Sequence, residues 1–112
     1  MAKRTEHHKL VRDKIPDIIR ASGGRPSVYT LAGRAKLLAL LDKLVEEAEE
    51  LRTAVVENSG IIGERADIAE VSLALDKELG LTSDDIEAAR QEKADARGGF
   101  EKGIFLEYVD EP

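Results

Sequence analysis

The sequence predicts a mainly α-helical protein built as an antiparallel bundle, and three observations lead to that prediction. Apolar residues recur every three or four positions over two long segments, 33–57 and 61–79, as in helices that bury one side. Glycine or Asn-Ser-Gly follows each predicted helix, and these residues favour helix ends and turns. At 112 residues the chain is expected to form one domain, residues 1–112.

The first predicted element is a short helix that follows an extended piece in the segment HKLVRDKIPDIIRASGG. Pro16 is tolerated in a first helical turn, because the missing N–H has no helical partner there. Three isoleucines supply an apolar side, and Gly23-Gly24 is expected to end the helix. A connector, RPSVYTLAG, then leads to the long second element.

The second predicted element is a helix from about Gly33 to Glu57, ended by the turn ENSGIIG. Its expected buried stripe consists of Leu37, Leu41, Leu44, Ala48, Leu51 and Val55. On this helical phase Glu47 borders the stripe beside Leu44 and Leu51. Glu46 is expected to point towards solvent.

The third predicted element is a helix from Ile61 or Glu64 to Leu79, with Gly80 as its terminating residue. Glu64 falls inside the stripe that should be buried, and Asp67 lies at the edge of that stripe. A second apolar strip on the same helix predicts that it is covered on more than one side. We therefore expect a homodimer or a higher homo-oligomer.

The last predicted elements are a lightly packed helix in TSDDIEAARQEKADARGG and an apolar tail, FEKGIFLEYVDEP. Thr82, Ser83 or Asp84 is the expected N-cap of this helix. The β-branched and aromatic residues of the tail favour a short strand or an extended arm.

Composition excludes several classes of function. With 17 Lys and Arg against 23 Asp and Glu, the net charge is −6, which argues against a duplex nucleic acid as partner. No cysteine is present, so the chain offers no thiolate metal site and no cysteine nucleophile. No window reaches the roughly 18 apolar residues of a membrane span, and no apolar signal segment is seen. We expect a cytoplasmic protein without a membrane partner.

The acidic residues of the two long helices form the candidate site. If these helices pack antiparallel across their short connection, four carboxylates come together. They are Glu47, Glu50, Glu64 and Asp67. Such carboxylates repel one another unless a divalent cation lies among them, and oxygen ligands favour Mg²⁺ or Mn²⁺ over Zn²⁺. The alternatives are a solvated charged face with pairs such as Lys43–Glu47, or a Glu64 that serves its own helix end.

The two acidic blocks, EEAEE at 46–50 and ERAD at 64–67, are separated by thirteen residues. They resemble the Glu-Glu-x-x-Glu and Glu-x-x-Asp hallmark of the MazG-like all-α nucleoside triphosphate pyrophosphohydrolases, a superfamily that includes phosphoribosyl-ATP pyrophosphohydrolases. The flanking text adds to the resemblance, because KLVRDKIPDII is similar to the opening of one MazG-like subgroup. RQEKADARGGF also falls in the order that the family shows.

The resemblance implies that Glu47, Glu50, Glu64 and Asp67 hold Mg²⁺, with Glu46 in a supporting part. It implies hydrolysis of a nucleoside triphosphate substrate between the α and β phosphates, giving a monophosphate and pyrophosphate, as a house-cleaning activity on the nucleotide pool. Two alternatives stay open: a phosphoribosyl-ATP pyrophosphohydrolase, and a non-catalytic helical dimerisation module.

Two basic sets are candidates for binding the substrate phosphates. The first is Arg90, Lys93 and Arg97, on one side of the last predicted helix, where the resemblance places phosphate-binding cations. Its members could instead complement the helix dipole. The second set is Lys9, Arg12 and Lys14, just before the first helix. These residues either close over the phosphates or keep the amino-terminal segment soluble.

Overall fold

The computed structural model describes residues 3–112 and contains four α-helices. They are α1 (Ile15–Ala21), α2 (Gly33–Glu57), α3 (Ile61–Leu79) and α4 (Ser83–Arg97). No strand occurs among the described residues, so the predicted mainly α fold is confirmed. Residues 104–112 form neither helix nor strand, which fits the arm rather than the strand expected there, because an extended segment needs a neighbouring strand to pair with.

The chain divides into two compact units, Met1–Gly80 and Leu81–Pro112. The first contains α1, α2 and α3, and the second contains α4 and the tail. That the whole chain acts as one domain stays a prediction. Within residues 3–112, no helix has both the length and the apolar character needed to cross a membrane.

A three-residue turn joins α2 to α3, and the two helices pack against each other as an antiparallel pair. Asn58 and Gly60 adopt left-handed backbone conformations, with φ of 53° and 72°, which asparagine and glycine tolerate best. The amide of Ser59 donates to the carbonyl of Ala54 at 3.0 Å. This bond satisfies one of the carbonyls that a helix leaves free at its end.

Three members of the predicted stripe of α2, Leu37, Leu44 and Leu51, are half-buried as expected, and the other three lie one residue away from the buried positions. Leu40, Glu47 and Ala54 are buried, whereas the predicted members Leu41, Ala48 and Val55 are exposed. Both rows repeat every three or four residues, so periodicity alone does not distinguish them. The consequence for the site is large, because Glu47 occupies a core position instead of bordering one.

The hydrophobic core of the first unit lies between α2 and α3. It consists of Leu40, Val71 and Leu75, against which Leu10, Leu37, Leu44 and Ala74 pack. Leu10 belongs to the segment before α1, so this segment is held against the helix pair by an apolar contact. Each of these leucines withdraws apolar surface from water and so stabilises the pair.

The second unit is built around α4, whose start confirms one of the three candidate caps. The hydroxyl of Thr82 accepts a hydrogen bond from the amide of Asp85 at 3.1 Å. Along α4 only Ala94 is even half-buried, as its thin apolar content predicts. The helix therefore presents charged side chains on nearly all sides.

Candidate metal centre

Glu47 is the centre of the candidate site. Its side chain lies on the buried face of α2 and is 5% exposed, the lowest exposure of any charged residue among those described. One carboxylate oxygen lies 3.4 Å from Nζ of Lys43, and the other, Oε2, has no hydrogen-bond partner. An ionised carboxylate buried without full pairing is strongly destabilising, so this position is explained poorly by packing alone.

Glu64 repeats this situation on the facing helix. It is half-buried near the start of α3, and its Oε2 atom is buried without a hydrogen-bond partner. The N-cap of α3 is Gly60, and no side chain caps this end. The alternative in which Glu64 caps its own helix is therefore not the arrangement found.

The structure brings the predicted carboxylates together in two groups that share Glu47. In one, carboxylate oxygens of Glu47, Glu64 and Asp67 all lie within 4.8 Å of one another. In the other, Glu46, Glu47 and Glu50 meet the same limit. The first group spans both helices. Three carboxylates from two helices, two of them carrying unpartnered oxygens, offer the hard oxygen donors that Mg²⁺ prefers.

Burial raises the pKa of Glu47, and the adjacent Glu50 carboxylate raises it further. Lys43 opposes these two effects only in part. Buried carboxylates favour the neutral form, and a neighbouring negative charge adds to that preference. A divalent cation among these oxygens would reverse both effects, because it stabilises the ionised form.

The prediction that Glu46 points towards solvent is wrong. It does not point into solvent but is half-buried, with its oxygens 3.3 Å from Nζ of Lys43 and 3.5 Å from Nζ of Lys9. Burial raises the pKa of Glu46, but the two lysines outweigh burial and leave that pKa below its usual value. The physical reason is the shifted phase of α2, which turns this glutamate towards the helix pair.

Of the second basic set, Lys9, Arg12 and Lys14, two members contact the acidic residues. A terminal guanidinium nitrogen of Arg12 lies 2.7 Å from Oδ1 of Asp67, and Lys9 contacts Glu46. Lys14 forms no ion pair with the residues described. Two of these three cations therefore contact acids of the candidate site.

An open, shallow depression of about 430 Å³ lies beside the acidic residues. Its lining consists of Glu46, Glu49, Glu50, Thr53, Ala54, Glu57, Ser59 and Glu64. Sequence reasoning missed Thr53, Glu57 and Ser59 as lining residues. The spacing of Thr53 and Glu57 from Glu50 places all three on one side of α2, and that signal was present in the sequence.

The first basic set lies on α4, in the second unit. Arg90 donates to its neighbour Glu87, with a guanidinium nitrogen 2.6 Å from Oε1 and Nε 2.9 Å from Oε2. Lys93 and Arg97 make no ion pair within residues 3–112. The role of these three residues in phosphate binding stays a prediction.

Comparison with known proteins adds one relative. An uncharacterized protein of Mycolicibacterium smegmatis is 46% identical to this chain over 57 residues, which cover 51% of this chain and 58% of that protein. The matched region is thus little more than half of the relative's length. No family model and no solved structure matches the chain. The resemblance to the MazG-like enzymes therefore rests on the residues themselves.

Proposed function

We propose that this protein is a MazG-like, Mg²⁺-dependent nucleoside triphosphate pyrophosphohydrolase that cleaves between the α and β phosphates. One observation supports this most strongly. Glu47 has a buried oxygen without a hydrogen-bond partner, and it belongs to a group with Glu64 and Asp67 on the facing helix in which one carboxylate oxygen from each residue lies within 4.8 Å of the others. A merely solvated acidic face does not bury a carboxylate in this way.

The residues fit a hard divalent cation. All the donors are carboxylate oxygens, and the chain has no cysteine, so Mg²⁺ or Mn²⁺ suits the site better than Zn²⁺. Glu47, Glu64 and Asp67 would hold the ion, with Glu50 and Glu46 at the second edge. A bound Mg²⁺ would neutralise phosphate charge and lower the pKa of a water molecule.

The other side chains that line the depression suit a hydrolase in which water is the nucleophile. Thr53 and Ser59 bring hydroxyl groups to a lining that is otherwise mostly carboxylate. The sequence offers neither a cysteine nucleophile nor a convincing catalytic triad, so direct attack by water is the chemistry we propose. The substrate would be a cytoplasmic nucleoside triphosphate, and the role would be removal of unwanted nucleotides.

We also propose that the protein works as a homodimer or higher homo-oligomer. In the described residues, α2 and α3 expose apolar side chains outside their shared core, among them Val45 at 60% and Ile62 at 86% exposure. A second copy of the chain would cover such a surface. We expect light scattering to give at least twice the 12.3 kDa chain mass and Val45→Glu to lower that mass. A monomeric wild-type protein would contradict this part of the proposal.

The decisive experiment is a panel of ribo- and deoxyribonucleoside triphosphates, incubated with Mg²⁺ or with EDTA, with pyrophosphate and orthophosphate measured separately. We expect Mg²⁺-dependent pyrophosphate together with the matching monophosphate. Orthophosphate release would contradict α–β cleavage. If the whole panel is inert, phosphoribosyl-ATP becomes the next substrate to test. If that is inert too, the result favours a dimerisation module, in which Glu64→Gln and Asp67→Asn would leave function intact.

A further inference from the structure

The segment before α1 contacts both helices of the pair at the acidic group. Leu10 anchors it against the core formed by Leu40, Val71 and Leu75. On either side of this anchor a cation contacts an acid: Lys9 lies 3.5 Å from Glu46 of α2, and Arg12 lies 2.7 Å from Asp67 of α3. The segment thus supplies positive charge to both edges of the candidate metal centre.

We propose that Arg12 and Lys9 are exchangeable counter-ions of this centre. Without metal they neutralise Asp67 and Glu46. A divalent cation in the group of Glu47, Glu64 and Asp67 displaces Arg12, and one in the group of Glu46, Glu47 and Glu50 displaces Lys9. The displaced side chains then bind the phosphates of the substrate. This inference rests on the proposed function and adds an order of events, because metal binding makes the phosphate-binding cations available.

The energetics of the two contacts favour exchange. The side chains of Arg12 and Asp67 are 56% and 37% exposed, and those of Lys9 and Glu46 are 43% and 31% exposed. Ion pairs this accessible to water are weak, so a divalent cation can displace them. A guanidinium group matches two phosphate oxygens at once. The Leu10 anchor keeps the released Arg12 close to the site, which raises its effective concentration there.

The exchange predicts opposite effects on two ligands when Arg12 is removed. The metal should bind more tightly, because its competitor for Asp67 is gone. The phosphate ligand should bind more weakly, because one of its cations is gone. If Arg12 only held the fold together, its loss would weaken both ligands. The sign of the two changes therefore separates exchange from a structural role.

The first measurement is Mn²⁺ affinity, from the electron paramagnetic resonance signal of free Mn²⁺, in wild type, Arg12→Gln and Arg25→Gln. Arg25 is exposed and forms no ion pair with residues 3–112, so its variant controls for net charge. We expect Arg12→Gln to bind Mn²⁺ about threefold to fivefold more tightly, as loss of one exposed competing pair implies. Pyrophosphate binding at saturating Mg²⁺, measured by calorimetry, should weaken about tenfold, as loss of a charge-assisted hydrogen bond implies. Arg25→Gln should change neither affinity by more than about twofold.

The second measurement follows Arg12 itself by ¹⁵N NMR of its side chain, with the signal assigned by its loss in Arg12→Lys. We expect one shift that saturates with Mg²⁺ and a second shift when pyrophosphate is added. An Arg12 signal that does not change at saturating Mg²⁺, or weaker binding of both ligands to Arg12→Gln, would overturn the exchange alone. A wild-type protein that binds no divalent cation would overturn the proposed function, and the exchange with it.

Discussion

The two halves of the α2–α3 interface each contain a residue that is almost fully buried, and they are chemically opposite. Leu40 at 4% exposure and Leu75 at 7% represent the apolar half, which also contains Val71. Glu47, at 5% exposure and two helical turns after Leu40, represents the acidic half, which also contains Glu64 and Asp67. The same helical spacing therefore places a leucine in one half and a carboxylate in the other. Burial alone does not distinguish a core position from a functional one.

The contrast between the two halves explains how a small interface can hold an unfavourable buried group. Apolar burial stabilises the pair by roughly 1.5–3 kcal/mol for each fully buried large side chain. An unpartnered buried carboxylate costs energy of comparable size. The apolar half thus holds the two helices in the geometry that gathers the carboxylates of the acidic half. Changes in the two halves should consequently affect different measurements.

The largest effect is expected from neutralising the acidic half. Glu47→Gln keeps the shape of the side chain but removes the charge that would hold the metal, so we expect Mg²⁺-dependent pyrophosphate release to fall by about a thousandfold. Glu70→Gln on the exposed side of α3 should keep activity within about twofold of wild type. Steady-state rates on the best nucleotide of the panel provide the comparison. Full activity of Glu47→Gln would exclude Glu47 from the reaction.

The next largest effect is expected in the apolar half. Leu75→Ala leaves a cavity beside Leu40 and should lower the free energy of unfolding by about 2–4 kcal/mol. Leu79→Ala, at a position that is 51% exposed, should cost about 1 kcal/mol or less. Urea unfolding followed by circular dichroism measures both. Among molecules that remain folded, Leu75→Ala should keep its affinity for Mg²⁺, and loss of that affinity would mean that the two halves are not separable.

The sequence predicted where the helices begin and end better than it predicted which face of each helix is buried. It predicted the bounds of α2 and the end of α3, because glycine, Asn58 and two long apolar repeats mark them, but it left the start of α3 open between Ile61 and Glu64. It missed the phase of α2, because Leu41, Ala48 and Val55 form a second apolar row one residue away from the buried one. The buried row includes Glu47, which a rule based on hydrophobicity penalises. A functional site is where local sequence rules are expected to fail.

The contacts of the amino-terminal segment were also beyond sequence reasoning. Lys9 and Arg12 were candidates by charge, but their distance from the acids in the sequence is large, and no periodicity relates them to Glu46 and Asp67. Their placement depends on Leu10, whose packing against the core becomes visible only in three dimensions. Carboxylates on one helix can be located by spacing, whereas a cation from a distant segment cannot.

The smallest effect is expected in the pH dependence of the free energy of unfolding without metal. It connects the two halves, because here a group of the acidic half changes the stability of the fold. The pKa of Glu47 is raised in the folded protein, first by burial and then by Glu50. The folded state therefore holds this proton more tightly than the unfolded state does. The stabilisation from protonated Glu47 is complete below the unfolded pKa and is lost as pH rises through the folded pKa. Glu47→Gln has no such proton to lose, so its stability advantage over wild type should be small near pH 4 and should grow towards pH 8.

Adding Mg²⁺ at ten times its dissociation constant should stabilise wild type by about 1.4 kcal/mol near pH 8 and by much less near pH 4, because the metal needs the ionised carboxylate. A stability difference that stays constant with pH would mean that Lys43 fully offsets the effects of burial and of Glu50 on Glu47. A wild type that gains stability on the variant as pH rises would mean that the acidic half is a structural salt bridge.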